Sequence, residues 1–157
     1  MRPPPSEGAF PGFVFTCNKK SEQECLDRLL FGMPLNRHTA EEIKHIAPGW
    51  TQVFLYNYQA HTVRGVFMGA APGGKLLVKD AWTRRWDAAG GAASATPPAK
   101  RSLYPVQLRV RAVRNYPPVP EAAVMSALRF SVDGKRIENK MGMEQTRALL
   151  GLVSRAA

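Results

Sequence analysis

The stretch Val106-Gln107-Leu108-Arg109-Val110-Arg111-Ala112-Val113-Arg114 carries the clearest strand pattern in this 157-residue chain. Its side chains alternate with a period of two, so one face of the strand is expected to be buried and the other to carry arginines. The pattern places Val106, Leu108, Val110 and Ala112 inside, and it places Gln107, Arg109, Arg111 and Val113 outside. A proline-rich run at 117–120 then breaks the strand.

Three further runs of β-forming residues lie upstream, at 12–17, 51–58 and 63–68. Only four residues separate the second run from the third, which predicts a hairpin. Helices are predicted between the first two runs, near 121–128 and near 144–153, with a turn at Asp133-Gly134. This order predicts an α+β fold: a small open β-barrel or bent mixed sheet with helices packed outside.

Two helix starts are predicted from capping patterns. Ser21 precedes Glu24 by three residues, the spacing at which a hydroxyl and a carboxylate satisfy two free helix amides. The Thr39–Glu42 pair repeats this spacing. We expect Gly32 to adopt the left-handed conformation at the end of the first helix and Pro34 to prevent its continuation.

The domain is expected to cover residues 12–153. A proline-rich tail at 1–11 is expected to be flexible, and the low-complexity stretch at 88–99 reads as a loop insertion. Hydrophobic residues make up 45% of the chain and charged residues 22%, which excludes a wholly disordered, collagen-like or disulfide-scaffold protein. No apolar run is long enough to span a membrane, and the N-terminus resembles neither a secretory signal nor a transit peptide. We therefore expect a cytoplasmic or nuclear protein that does not bind membranes.

The formal net charge of +10 is unevenly distributed. Residues 100–136 hold eight basic and two acidic side chains, whereas residues 1–50 are balanced. A local basic surface favours a polyanionic partner, although a solvated basic face that keeps the protein soluble has the same composition.

The motif Phe31-Gly32-Met33-Pro34, followed by Val53-Phe54-Leu55, resembles the plant DCD (Development and Cell Death) domain. The likeness runs over about residues 12–153, with Met33 and Val53 each replacing a leucine of the family pattern. It includes Pro48-Gly49, Arg64-Gly65-Val66-Phe67, Ala81-Trp82, Tyr104-Pro105-Val106-Gln107-Leu108-Arg109-Val110 and Pro118-Val119-Pro120-Glu121. The resemblance implies a plant or green-algal protein linked to stress responses, development and programmed cell death. It implies a non-catalytic binding module with a protein partner in stress signalling.

A weaker likeness in element order is to PUA-like modules, including the EVE and YTH groups, and the YTH group reads methylated RNA bases.

Candidate ligand-binding residues fall into two groups, each with a structural alternative. The first contains Asn18 and Lys19 after the first strand, Asn57 in the hairpin, and Trp82 with Trp86. Asn18 could bind a base or peptide edge, or could only form a turn before Ser21. Trp82 could stack on a base, or could only fill the core.

The second group is the pair Arg109 and Arg111, whose guanidinium groups suit phosphate or carboxylate. The alternative is an exposed strand face that arginines keep soluble. The motif residues Phe31, Gly32, Met33, Pro34, Val53, Phe54 and Leu55 are expected to be structural.

No chemistry-bearing motif emerges from the remaining residues. The three histidines lack metal-ligand spacing, no phosphate-binding loop or nucleophile elbow occurs, and Cys17 and Cys25 have no second cysteine pair. We predict no catalytic residue, metal or cofactor, and two free thiols, with a Cys17–Cys25 disulfide left open. The function classes that remain are a protein-interaction module and a reader of single-stranded RNA, while a thiol enzyme has almost no support.

Overall fold

A computed structural model describes residues 2–83 and 102–156. Within these ranges the strands are β1 (Gly12–Cys17), β2 (Leu30–Met33), β3 (Gln52–Asn57), β4 (Thr62–Gly69), β5 (Gly74–Lys75), β6 (Val106–Ala112), β7 (Val119–Pro120) and β8 (Lys140–Met141). The helices are α1 (Glu22–Arg28), α2 (Arg37–Glu42), α3 (Glu121–Val124) and α4 (Met143–Ala156), and 3₁₀ turns follow α2 and α3. No helix among the described residues has both the length and the apolar character needed to cross a membrane.

The strands form one mixed sheet in the order β2-β6-β4-β3-β1-β8, with β5 paired to β6 and β7 paired to β4. Strands β1 and β3 run parallel, with Gly12 opposite Gln52, and the other ladders are antiparallel. In the described part of the chain no ladder joins the two ends of this order, so the sheet is not closed into a barrel. The predicted α+β fold with a bent mixed sheet is confirmed.

Apolar residues cover both faces of the central strand β3. Val53 and Leu55 belong to one core, in which the rings of Phe31 and Phe67 meet edge to face with centroids 4.9 Å apart. Phe54 belongs to a second core on the other face, which the α4 residues Leu149 and Val153 cover. The motif residues Val53, Phe54 and Leu55 are therefore all buried in the two cores.

Strand β6 keeps the predicted alternation with two differences. Val106, Leu108 and Val110 are buried, and Arg109 and Arg111 are exposed. Gln107 lies on the arginine face but is completely buried, because the segment at residues 76–83 covers it. Ala112 was expected inside, but it ends the strand beyond the core and is exposed.

The predicted capping box at Ser21 and Glu24 is wrong. Ser21 caps α1 without a side-chain bond to the helix, and its hydroxyl accepts from the Asn18 amide at 3.1 Å. The Glu24 carboxylate is instead bound by Arg28 and by the backbone of Trp82. These partners replace the reciprocal cap that the spacing suggested.

The second predicted helix start is also displaced. Helix α2 begins after Asn36, three residues before the predicted cap at Thr39. Asn36 and Thr39 form a reciprocal capping box, with the Asn36 side chain accepting from the Thr39 amide at 2.9 Å. Thr39 therefore takes part in the cap as its third helical residue.

The motif Phe31-Gly32-Met33-Pro34 lies at strand β2 and not at a helix end. Phe31 is completely buried, and the motif forms β2, in which Gly32 lies opposite Gln107. The left-handed residue that closes α1 is Leu29, with φ of 51°. The predicted left-handed conformation of Gly32 is therefore wrong.

The N-terminal segment is held against the domain, whereas we expected a loose tail. The Trp50 indole donates to the Arg2 carbonyl at 2.7 Å, and the Phe10 amide donates to the His45 carbonyl at 2.9 Å. Phe10 also stacks on Phe13. The loop predicted at 88–99 lies outside the described residues.

Candidate ligand-binding surface

Two arginines of β6 form the first part of the site, which we call the arginine face. Arg109 and Arg111 project from one side of the strand, and two residues along a strand span about 6.8 Å. One Arg109 nitrogen lies 3.4 Å from the Leu77 carbonyl, and one Arg111 nitrogen lies 3.9 Å from the Met68 sulfur. Among the described residues no carboxylate lies within ion-pair distance of either guanidinium. Both guanidinium groups are therefore available to bind an external anion.

Other arginines of the same region are engaged within the domain. Arg28 contacts Glu24 at 2.9 Å, and Arg64 contacts Glu22 at 2.9 Å with both side chains largely buried. The Arg64–Glu22 pair fixes α1 against β4, whereas the Arg28–Glu24 pair lies within α1. The arginine face thus differs from its neighbours in having its charge directed to solvent.

A segment at residues 76–83, which we call the strap, crosses the outer face of the β2–β6 pair. Buried Gln107 fixes it, because the Gln107 side-chain oxygen accepts from the Val78 amide at 2.8 Å. The side-chain nitrogen of Gln107 donates to the carbonyls of Val78 and Tyr104, each at 3.2 Å. All the bonds of this buried amide are directed at the strap and at Tyr104, so Gln107 positions both.

Trp82 lies near the end of the strap and is only 4% exposed. The ring lies over Gly32 and meets Tyr104 edge to face, with centroids 5.5 Å apart. The Trp82 amide donates to Glu24 at 2.8 Å, and φ is 49°, an uncommon value for a tryptophan.

The indole N–H of Trp82 has no hydrogen-bond partner of good geometry. Burial raises the pKa of the neighbouring Cys25 thiol to about 12, and the Trp82 indole N–H acts in the opposite sense, because the thiol is a weak acceptor. In this conformation the ring offers no exposed face, and binding by Trp82 stays a prediction. Trp86 lies outside the described residues.

A second part of the site, the amide–aromatic patch, comprises Asn18, Lys19, Tyr58 and Tyr104. The Asn18 side-chain oxygen accepts from the amides of Lys20 and Ser21 at 2.9 and 2.8 Å, which is the turn-forming alternative. The NH₂ group of Asn18 is not used in this turn. The Lys19 amide is fixed by the Gln59 side chain at 2.8 Å, and the Lys19 side chain is exposed.

Tyr58 and Tyr104 complete this patch, although sequence reasoning selected neither as a ligand-binding residue. Burial, followed by the nearby Tyr58 hydroxyl, raises the pKa of Tyr104, while the Asn18 side chain acts in the opposite sense. Tyr104 is therefore a neutral hydroxyl at physiological pH. Tyr58 is 48% exposed, and its amide donates to the Cys17 carbonyl at 3.1 Å.

Asn57 lies beneath the patch and is almost completely buried. Its side-chain oxygen accepts from the amides of Gln59 and Ala60 at 3.0 and 2.9 Å, and its nitrogen donates to Glu22 at 3.1 Å. These bonds fix the turn that carries Tyr58. Contact between Asn57 and a ligand stays a prediction.

The thiols are poorly suited to nucleophilic chemistry. Cys17 and Cys25 are free and buried, and burial raises the pKa of both well above the ordinary value of a thiol. Few thiolates are present at neutral pH, and only the thiolate is a strong nucleophile. Among the described residues no group of three or more His, Cys, Asp or Glu side chains could hold a metal ion.

Sequence comparison identifies similar proteins in plants. A family model described as the Development and cell death domain matches residues 11–153. The B2 protein of Daucus carota is 29% identical over 141 residues, which cover 90% of this chain and 61% of that protein. The DCD domain-containing protein NRP-B of Glycine max is 29% identical over 154 residues, 95% of this chain and 42% of that protein. The chain thus spans less than two thirds of the length of these curated relatives.

Structure comparison identifies YTH domains. The structure described as the YTH domain-containing protein mmi1 and RNA complex has a TM-score of 0.58 at 9% identity, covering 96% of this chain and 88% of that one. A crystal structure of the Mmi1 YTH domain has a TM-score of 0.58 at 10% identity, covering 92% and 96% of the two chains. At this identity the likeness concerns the fold alone, and it confirms the predicted PUA-like architecture.

Proposed function

We propose that this chain, which belongs to the Development and cell death domain family, binds single-stranded RNA through Arg109 and Arg111. The two guanidinium groups would contact neighbouring phosphates. The domain would act as a binding module without catalysing a reaction. The link to development and cell death comes from the family description, and the RNA ligand is argued from the surface of this chain.

The observation that carries the proposal is the free charge of the arginine face. Arg109 and Arg111 are exposed on one strand, and no described carboxylate neutralises them. Guanidinium groups bind phosphate through paired N–H donors, and release of counterions from the nucleic acid strengthens such contacts. The two residues lie about 6.8 Å apart along the strand, so both side chains can reach the backbone of one extended nucleic-acid strand.

The YTH likeness supports the same class of ligand. A similar solved domain is described in complex with RNA, and its architecture is shared over nearly the whole of this chain. The outer face of β6 is also next to the amide–aromatic patch, because Gln107 bonds Tyr104 and lies two residues from Arg109. Phosphate and base contacts could therefore be made by one strand of RNA.

The test is a titration of fluorescein-labelled oligouridine at low and moderate salt. Arg109→Glu/Arg111→Glu should weaken binding and reduce the dependence of log K on log salt by about 1.4, the value for two phosphate contacts on a single strand. The control is Arg147→Glu/Arg155→Glu on α4, which changes the net charge equally. Absence of binding at low salt, or equal loss in both double variants, contradicts the proposal.

A protein partner is the second candidate. Leu29 and Leu76 are 43% and 42% exposed, and both lie beside the arginine face. Exposed apolar side chains next to arginine are typical of protein interfaces. A partner that the parent domain retains after ribonuclease treatment, and that Arg109→Glu/Arg111→Glu fails to retain, would favour this function.

A further inference from the structure

Tyr58 is the one large aromatic side chain exposed over more than a third of its surface among the described residues. A single exposed ring is common on protein surfaces and is not by itself a site. The backbone that carries this ring, however, is held in place: the Tyr58 amide is bonded to the Cys17 carbonyl, and the Asn57 side chain fixes the turn that follows. The ring therefore projects to solvent from a fixed position on the domain.

Polar groups next to this ring match the edge of a nucleobase. The turn uses only the side-chain oxygen of Asn18, and its NH₂ group lies beside the neutral Tyr104 hydroxyl. The second N–H of this amide and the hydroxyl together offer a donor and a donor or acceptor to a base edge. The Lys19 side chain adds an exposed cation. A stacking face, edge-directed hydrogen-bonding groups and a cation are the combination by which proteins hold a single-stranded nucleotide.

Trp82 was the stacking residue suggested by the sequence, but its ring is enclosed between Gly32 and Tyr104. In the observed fold the ring packs edge to face against Tyr104. The face available for stacking is that of Tyr58.

We infer that an unpaired RNA base stacks on Tyr58, with its edge directed to Asn18 and Tyr104. This inference rests on the proposed RNA function and assigns the base contact, whereas the arginine face makes the phosphate contacts. The two surfaces are joined by Gln107, which bonds the Tyr104 carbonyl and lies two residues from Arg109 on β6. One nucleotide strand can reach both.

The test compares fluorescein-labelled oligouridine with an abasic oligomer that has the same length and phosphate charge. The parent domain should prefer oligouridine by about fivefold or more, the effect of one stacked base. Tyr58→Ala and Tyr58→Leu should both lose this preference and retain salt-dependent binding of the abasic oligomer. Tyr58→Phe, which keeps the ring, should keep the preference. Met125→Ala should also keep it, and this control changes a residue of similar exposure in the 3₁₀ turn after α3.

Each outcome has a distinct meaning once circular dichroism confirms that the variants are folded. If the parent domain binds oligouridine and the Tyr58 variants keep its preference, the inference is wrong and the phosphate proposal stands. Equal binding of the two oligomers by the parent domain also overturns the base contact alone. If the parent domain binds neither oligomer at low salt, the proposed function fails and the inference fails with it.

Discussion

A Cβ atom built on Gly32 would lie 2.6 Å from the indole ring of Trp82, so the strand and the ring are compatible only because residue 32 has no side chain. We predict that Gly32→Ala destabilises the domain by about 1–3 kcal/mol through overpacking. Trp82→Leu should remove the part of that penalty that comes from the indole ring, whereas the contact with the Tyr104 Cβ atom at 2.9 Å remains. Denaturant unfolding of the two single variants and the double variant measures this coupling, and additive effects would show that the contact is not limiting.

The second prediction concerns Gln107, which holds the strap. Gln107→Leu keeps the approximate volume but leaves the Val78 amide and two carbonyls without their partner. We expect a loss of about 1–3 kcal/mol in unfolding free energy from the buried groups left unsatisfied. Gln23→Leu, at an exposed position of α1, is the comparison, and a Gln107→Leu protein as stable as that variant would contradict the prediction.

Gln107 also shows what sequence patterning could establish in this chain. The period of two placed Arg109 and Arg111 outside, because that pattern depends only on the local geometry of one strand. The burial of Gln107 depends on a segment about thirty residues away in sequence, so no local pattern could reveal it. The burial of Trp82 could not be predicted locally either, because its ring packs over Gly32 of β2, which is distant in the sequence.

Ambiguous apolar runs explain the errors in secondary structure. Leu29, Leu30 and Phe31 continue the helical pattern of α1, yet the chain reverses at Leu29 and begins β2. A short apolar run has no periodicity that separates a helix end from a buried strand. The exposure of Tyr58 could not be predicted from the strand either, because Tyr58 follows the last residue of β3, which is buried on both faces.

The third prediction is a loss of stability at alkaline pH. Burial is the largest cause that raises the pKa of Cys25 from 9.0 to about 12, and burial also raises the pKa of Cys17. Unfolding returns both thiols to ordinary pKa values, so the folded state holds their protons more tightly. This contribution to stability is complete below about pH 9 and is lost as the pH rises toward the folded-state values.

Denaturant unfolding on either side of pH 9 tests this dependence. Cys17→Ala/Cys25→Ala should have a flatter dependence of unfolding free energy on pH than the parent domain. Tyr56→Phe removes a second contribution to the pH dependence of the unfolding free energy, because burial also raises the pKa of the Tyr56 hydroxyl. A double cysteine variant with the slope of the parent domain would show that the thiols do not contribute.

The last prediction concerns Leu29, which closes α1 with φ of 51° and ψ of 52°. This left-handed conformation is strained for a residue with a Cβ atom and favourable for glycine. We therefore expect Leu29→Gly to be more stable than Leu29→Ala by about 1 kcal/mol, although glycine is the less stable of the two inside a helix by a similar amount. Thermal and denaturant unfolding of the two variants measure the difference, and a more stable alanine variant would contradict the assigned conformation.

The same pair of variants distinguishes the two candidate partners. Leu29 is 43% exposed beside the arginine face and carries no charge or ring, so its removal should leave RNA affinity nearly unchanged. A protein partner that covers this face would bury the leucine side chain and would bind both variants more weakly. Because Leu29→Gly is expected to fold at least as well as Leu29→Ala, loss of a partner in both variants would reflect the missing apolar contact and not a weakened fold.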